Sequence, residues 1–196
     1  MAHHHIYHTE GIIRGARNHG EANKLLSIYT LEHGLINAAA QGIRLHKSKL
    51  RFALQDLSYA KVDLVRGRDI WRVTSATPIN SFVFARGNRD SLGLMLRVCK
   101  LLERLCNGEE GNSDVFSDVL QSFIRLDDVD IENEIREALE LHLVLRILHQ
   151  LGYIGDNADL ASYLGGGFED RQPSDVLLNK KSIVLAINQA LRESQL

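Results

Sequence analysis

The sequence predicts an α+β protein: a small, strongly bent antiparallel β-domain followed by an α-helical bundle. Three observations predict it. Short apolar runs at Gly11–Ile13, Leu25–Leu31 and Leu35–Ala40 are separated by the breaks Asn18-His19-Gly20 and His33-Gly34, the spacing of strands joined by glycine-containing turns. Beyond Pro78 the apolar residues recur at helical intervals. The charge divides at the same place, with 11 Lys+Arg against 6 Asp+Glu in residues 1–80 and 12 against 19 in residues 81–196.

Five strands are expected in the first half: Tyr7–Gly15, Glu21–Leu31, Leu35–Gly42, Leu57–Arg66 and Ile70–Ala76. The fourth alternates Ser58, Ala60, Val62 and Leu64 with Tyr59, Lys61 and Asp63, as a half-buried strand does. Gly67-Arg68-Asp69 links it to the fifth as a tight hairpin. Periodicity alone specifies a small antiparallel barrel or sandwich. The domain boundary is placed near Thr77–Phe84, giving units 1–80 and 81–196.

In the second half, Asp90–Leu105 sets Leu92, Met95, Leu96, Cys99, Leu102 and Cys106 on one helical face. A second helix starts at Ser113 or Asp114, with Val115, Phe116, Val119, Leu120, Phe123 and Ile124 as its stripe. Ile131–Leu151 is the longest helix, and it is apolar almost all round from Leu139 to Leu148. The acidic run Asp127-Asp128-Val129-Asp130-Ile131-Glu132 reads as the cap of that helix, whose N-terminal dipole favours carboxylates. A last helix runs from Ser174 or Lys180 to about Glu193 and packs Ile183, Val184, Ile187 and Leu191.

With 196 residues, 44% of them hydrophobic and 24% charged, the chain has the composition of a globular protein of one large or two small domains. It contains no apolar run of membrane-spanning length, and Met1-Ala2-His3-His4-His5 lacks a signal-peptide core. A cytoplasmic location away from membranes is the expectation. No phosphate loop or Gly-x-Ser-x-Gly elbow occurs, and Gly165-Gly166-Gly167 runs into Phe-Glu-Asp, the wrong charge for a phosphate cradle. A binding protein rather than an enzyme is expected. No metal or other cofactor is expected either: His142 and His149 lie two turns apart, and Cys99 and Cys106 fall on the apolar stripe.

A basic β-domain points to a nucleic-acid backbone. Its cations are Arg14, Arg17, Lys24, Arg44, Lys47, Lys49, Arg51, Lys61, Arg66, Arg68 and Arg72. Lys61 and one of the hairpin arginines are assigned to an ordinary solvated face. The others neutralise phosphates and release counterions. The densest group is the loop Arg44–Arg51, four full charges in eight residues with His46 among them. Of the aromatics, Tyr59 lies on the polar face of its strand and is the candidate for base stacking, Trp71 is assigned to the core, and Phe52 fits either role.

Seven blocks in order resemble the RecO family of bacterial recombination mediators. They are Glu10-Gly11-Ile12-Ile13; Gly20-Glu21-Ala22-Asn23-Lys24-Leu25-Leu26; Glu32-His33-Gly34-Leu35; Ala40-Gln41-Gly42-Ile43-Arg44; Ser48-Lys49-Leu50-Arg51-Phe52-Ala53-Leu54-Gln55; Val65-Arg66-Gly67-Arg68 with Trp71-Arg72-Val73-Thr74-Ser75-Ala76; and Leu151-Gly152-Tyr153. The resemblance is close over roughly the first 80 residues. It implies an N-terminal five-stranded OB-fold barrel, binding of single- and double-stranded DNA, and annealing of complementary strands. It also implies help in RecA loading with a RecR-like partner on strands coated by single-strand-binding protein. The acidic, apolar tail of that coat protein calls for basic groups beside an apolar crevice, and Arg97, Lys100 and Arg104 form the compact basic stripe of the acidic half. Many relatives carry a four-cysteine zinc site after the Leu-Gly-Tyr segment, whereas residues 155–173 here contain no cysteine. An RNA-binding OB protein and a non-catalytic adaptor are the alternative functions.

Overall fold

The computed structural model describes residues 5–106, 108–155, 158–167 and 171–194. His3 and His4, and part of the segment 154–175 that corresponds to the zinc site of relatives, lie outside the described residues. The chain divides into two compact units, Met1–Phe82 with Cys106–Phe116, and Val83–Leu105 with Ser117–Leu196. Residues 106–116, which fall beyond a single boundary at residue 80, therefore belong with the first unit.

That unit is an OB-type barrel. Strands β1 (Ile6–His19), β2 (Asn23–Thr30), β3 (Gly34–Ala40), β4 (Tyr59–Arg66) and β5 (Trp71–Asn80) close in the order β1-β2-β3-β5-β4. All pairings are antiparallel except β3 with β5. The seam between β3 and β5 is short, with only Ala38–Ala40 paired to Trp71–Val73. Inward positions carry Ile13, Leu26, Ile28, Ile36, Ala38, Val62, Leu64 and Val73, and each full-sized aliphatic side chain among them contributes about 1.5–3 kcal/mol of burial. A one-turn helix, α1 (Leu50–Ala53), adds Ala53, with Leu54 and Ile43 beside it, to the same core.

β1 runs four residues further than the expected Gly15 because a bulge between Ile13 and Gly15 absorbs its bend. β5 likewise continues past Ala76 to Asn80 along β4, carrying Pro78 within it. The segment 106–116 wraps this barrel closely. At Gly34 (φ +59°) an added Cβ would lie 2.4 Å from the Glu110 carbonyl oxygen, so backbone meets backbone where no side chain fits. Phe116, 2% exposed, sets its ring 5.7 Å from that of Tyr29.

The second unit is helical: α2 (Val83–Gly87), α3 (Arg89–Leu105), α4 (Ser113–Leu126, whose first turn belongs to the barrel unit), α5 (Asn133–Gln150), α6 (Ala161–Leu164), α7 (Pro173–Leu178) and α8 (Lys180–Glu193). The apolar stripe of α3 is rotated from the expected one. Leu94, Met95, Val98, Cys99, Leu102 and Leu105 are buried, while Leu96 is half exposed. The acidic run does not cap α5 through its side chains. Asp127 accepts from the Ala85 N–H at 2.9 Å, Asp128 from the Asp130 N–H at 3.2 Å, and the N-cap Glu132 makes no side-chain cap bond. α5 is also less apolar than it reads, because His142 and Arg146 are buried within it. No helix among the described residues is long and apolar enough to cross a membrane.

Candidate nucleic-acid interface

The outer face of the barrel acquires its charge from the β1 bulge. Ile13 pairs with Ile28 and Ala16 with Leu26, and all four point inward or pack on the core. The extra residue between them shifts the alternation, so Arg17 faces outward opposite Leu25. The same row continues from Leu25 to Ala39 and from Ala39 to Arg72. Arg17 on β1 and Arg72 on β5 thus bracket two strands, about 14 Å apart at three strand spacings. In the neighbouring row Ser27 pairs with Asn37, and the Arg14 Nε donates to the Ser27 Oγ at 3.0 Å. The result is a shallow strip floored by Leu25, Ala39, Ser27 and Asn37 and bordered by three arginines.

A second basic group covers one end of the barrel. The Arg44 N–H donates to the Ala22 carbonyl and its guanidinium to the Gly20 carbonyl, while the Gly42 N–H donates to Asn23. These bonds hold residues 41–48 against the β1–β2 turn. Lys24 pairs with the inward-facing Ala40 and so leaves the barrel at this same end. Arg44, His46, Lys47, Lys49 and Arg51 are all exposed, with Arg51 on α1 rather than on a loop. His19, also exposed at the last residue of β1, was not singled out from the sequence, and its place in the Asn18-His19-Gly20 break was the available signal.

The remaining cations are placed differently. Arg66 stands over the Trp71 ring, 4.9 Å from its centroid, and its guanidinium donates to Glu109 at 2.5 Å. Arg68 is exposed in the hairpin. Lys61 lies 3.9 Å from the Glu10 carboxylate. Arg14, Arg17 and Arg72 are thus brought to one strip, and Lys24, Arg44, Lys47, Lys49 and Arg51 to the barrel end. Arg66 faces an acidic partner.

Tyr59 is not an exposed stacking ring. It is 8% exposed, its ring lies 6.3 Å from that of Phe116, and its hydroxyl donates to Glu10. Burial and the Glu10 hydrogen bond push its pKa upward, so it stays neutral. The outer face of β4 reads as polar in sequence, but Phe116, more than 50 residues on, covers this part of it. Trp71 is 3% exposed and belongs to the core, as expected, whereas Phe52 is 70% exposed.

In the helical unit, Arg97, Lys100 and Arg104 are exposed along α3. Arg97 is already engaged, donating to both carboxylate oxygens of Glu140 at 2.6 and 2.8 Å. A separate cavity of about 300 Å³ is lined by Gln121, Arg125, Ile135, Leu139, Arg171 and Pro173. Among the described residues no three His, Cys, Asp or Glu side chains converge as metal ligands.

Residues 1–82 match the family model for the N-terminal domain of recombination protein O. A DNA repair protein RecO of Heliobacterium modesticaldum is 31% identical over 111 residues, 57% of this chain and 40% of the relative. One from Dehalococcoides mccartyi is 31% identical over 140 residues, 71% of this chain and 55% of the relative. Over its N-terminal barrel the chain is similar to RecO. A third RecO, from Pelotomaculum thermopropionicum, is 32% identical over 111 residues. The aligned segments cover roughly half the length of these RecO relatives. The RecO family match covers the barrel that carries the basic strip.

Proposed function

We propose that the barrel binds single-stranded DNA by its phosphates and promotes annealing of complementary strands, as a recombination mediator in DNA repair. The observation that carries this reading is the gathering of cations on one end and one outer face of the OB barrel, in a chain whose net charge is −2. Two polyanions repel each other. A surface that screens both phosphate chains lowers that repulsion with no bond made or broken. Such an activity requires no nucleotide hydrolysis, consistent with a sequence that contains no phosphate loop.

The test is binding of a labelled single-stranded oligonucleotide across a salt series, comparing the protein with a variant in which Arg44, Lys47, Lys49 and Arg51 are alanine. Loss of four phosphate contacts makes the log–log salt slope shallower by roughly 3, at about 0.7 per contact. An unchanged slope moves the site off the barrel end. Tighter binding to a matched RNA would favour the RNA-binding alternative.

A RecR-like protein and the tail of single-strand-binding protein are the proposed partners. For the tail, the cavity between Arg125, Arg171, Ile135 and Leu139 combines cations with apolar walls, whereas Arg97 of the Arg97–Lys100–Arg104 stripe is already paired with Glu140. Replacement of Arg125 and Arg171 is therefore expected to weaken a tail peptide more than replacement of the stripe, and the reverse order would restore the stripe as the dock.

A further inference from the structure

Phe52 is an aromatic ring left in water on a rigid mount. It is 70% exposed, yet the residues that follow it, Ala53 and Leu54, are buried at 0% and 2% in the barrel core. The Phe52 N–H donates to the Lys49 carbonyl and the Leu54 N–H to the Leu50 carbonyl, so the ring is held on a closed turn. The sequence leading up to it carries one sign of charge. Between Glu32 and Asp56 the chain has no carboxylate, while Arg44, Lys47, Lys49 and Arg51 crowd the eight residues before Phe52.

The other described Phe, Tyr and Trp rings of the barrel unit are already used. Tyr29, Tyr59, Trp71, Phe82 and Phe116 are each 8% exposed or less. Tyr7 is half-buried, edge-on to Trp71 at 5.1 Å and to His33 at 5.4 Å. The arginine-bordered strip is floored by Leu25, Ala39, Ser27 and Asn37 and offers no ring to stack on. Base stacking on a side chain needs an accessible π-face beside a cation that holds the backbone, and in this barrel Phe52 supplies one.

We propose that Phe52 stacks on one base of a bound single strand while Lys49 and Arg51 hold the adjoining phosphates, the bases along the arginine strip being left unstacked. The inference rests on the proposed DNA binding and specifies how the strand is gripped. It also accounts for annealing: a strand held mainly by phosphates keeps its base edges available to a complement.

The experiment uses two labelled ligands of equal length, an oligothymidylate and an abasic deoxyribose-phosphate strand, with the full chain and its Phe52→Ala and Phe52→Trp variants. Because the ring is exposed, both variants are expected to fold, which a thermal melt verifies. Phe52→Ala should weaken oligothymidylate binding tenfold or more and leave the abasic strand within twofold, and Phe52→Trp should retain the wild-type preference. Equal weakening of both ligands, or of neither, overturns the stacking role. Weakening of an acidic, apolar peptide in place of either strand would make the surface a protein dock and also overturn it. If the unaltered chain binds neither strand at low salt, the DNA-binding function itself fails, an outcome distinct from binding that ignores Phe52.

Discussion

Arg146 and Asp118 form a two-bond ion pair inside the helical unit. The Arg146 Nε donates to Asp118 Oδ2 at 2.7 Å and its Nη2 to Oδ1 at 3.1 Å, with side chains 7% and 6% exposed. Gln150 donates to the same carboxylate at 2.7 Å, and the Arg146 Nη1 reaches the carbonyls of Leu164 and Gly166 at 3.3 and 3.2 Å. One guanidinium thus ties α4 and α5 to the stretch after α6.

Removing one partner of such a pair leaves a buried charge uncompensated. Arg146→Ala is expected to cost about 3–5 kcal/mol of stability. The double replacement Arg146→Met with Asp118→Leu should recover much of it. Urea unfolding measures both, and a single-variant loss below about 1 kcal/mol would contradict the assignment.

His142, 4% exposed, donates from Nε2 to the Tyr163 carbonyl at 3.0 Å. Burial lowers its pKa below 6.5; the Tyr163 carbonyl opposes that shift and the nearby Arg146 charge adds to it. The sign follows from proton uptake. Below about pH 6.5 the unfolded chain takes up a proton that the folded one resists, so stability falls as pH drops through that value. Above it both forms are neutral and His142 adds no pH dependence. His142→Gln should flatten the stability–pH curve between about pH 5 and 7, measured by urea midpoints in a buffer series.

Gly34 and Gly20 both adopt positive φ, at +59° and +68°, but only Gly34 has backbone against it. Gly20→Ala is expected to cost about 1–2 kcal/mol from backbone strain alone. Gly34→Ala should cost a further 1–3 kcal/mol, roughly, because its Cβ would press on residue 110. Equal losses would show that segment 106–116 does not pack there.

Arg17 and Arg72 close the outer row at its two ends. Replacing both with alanine should make the salt slope of single-strand binding shallower by about 1.4, at about 0.7 per phosphate contact. Arg66→Ala, which removes a cation already held by Glu109, should change it less. The reverse ranking would place the strand over the Arg66 end of the barrel.

Much of the barrel was legible because strand and turn signals are local: β-prone runs, the Gly67 hairpin and the alternation of β4 lie within a few residues of each other. The basic stretch 44–51 was legible for the same reason. Tyr59 was misread because alternation reports which side of a strand a residue faces, not what covers that side, and Phe116 arrives from another part of the chain. The face of α3 was misplaced because Leu92, Leu94 and Leu96 are equally apolar in sequence, and packing alone selects Leu94.

By itself the sequence determined the α+β class, the order of strands and helices, the location of the basic segment and the resemblance to RecO, since each rests on residue type and short-range spacing. The tertiary structure alone decided that Arg17 and Arg72 share one face, that Arg66 spends its charge on Glu109, and that Phe52 rather than Tyr59 is the exposed ring. The physical reason is that a bulge, a barrel closure and a returning segment are set by the sum of many long-range contacts, and no local pattern records that sum.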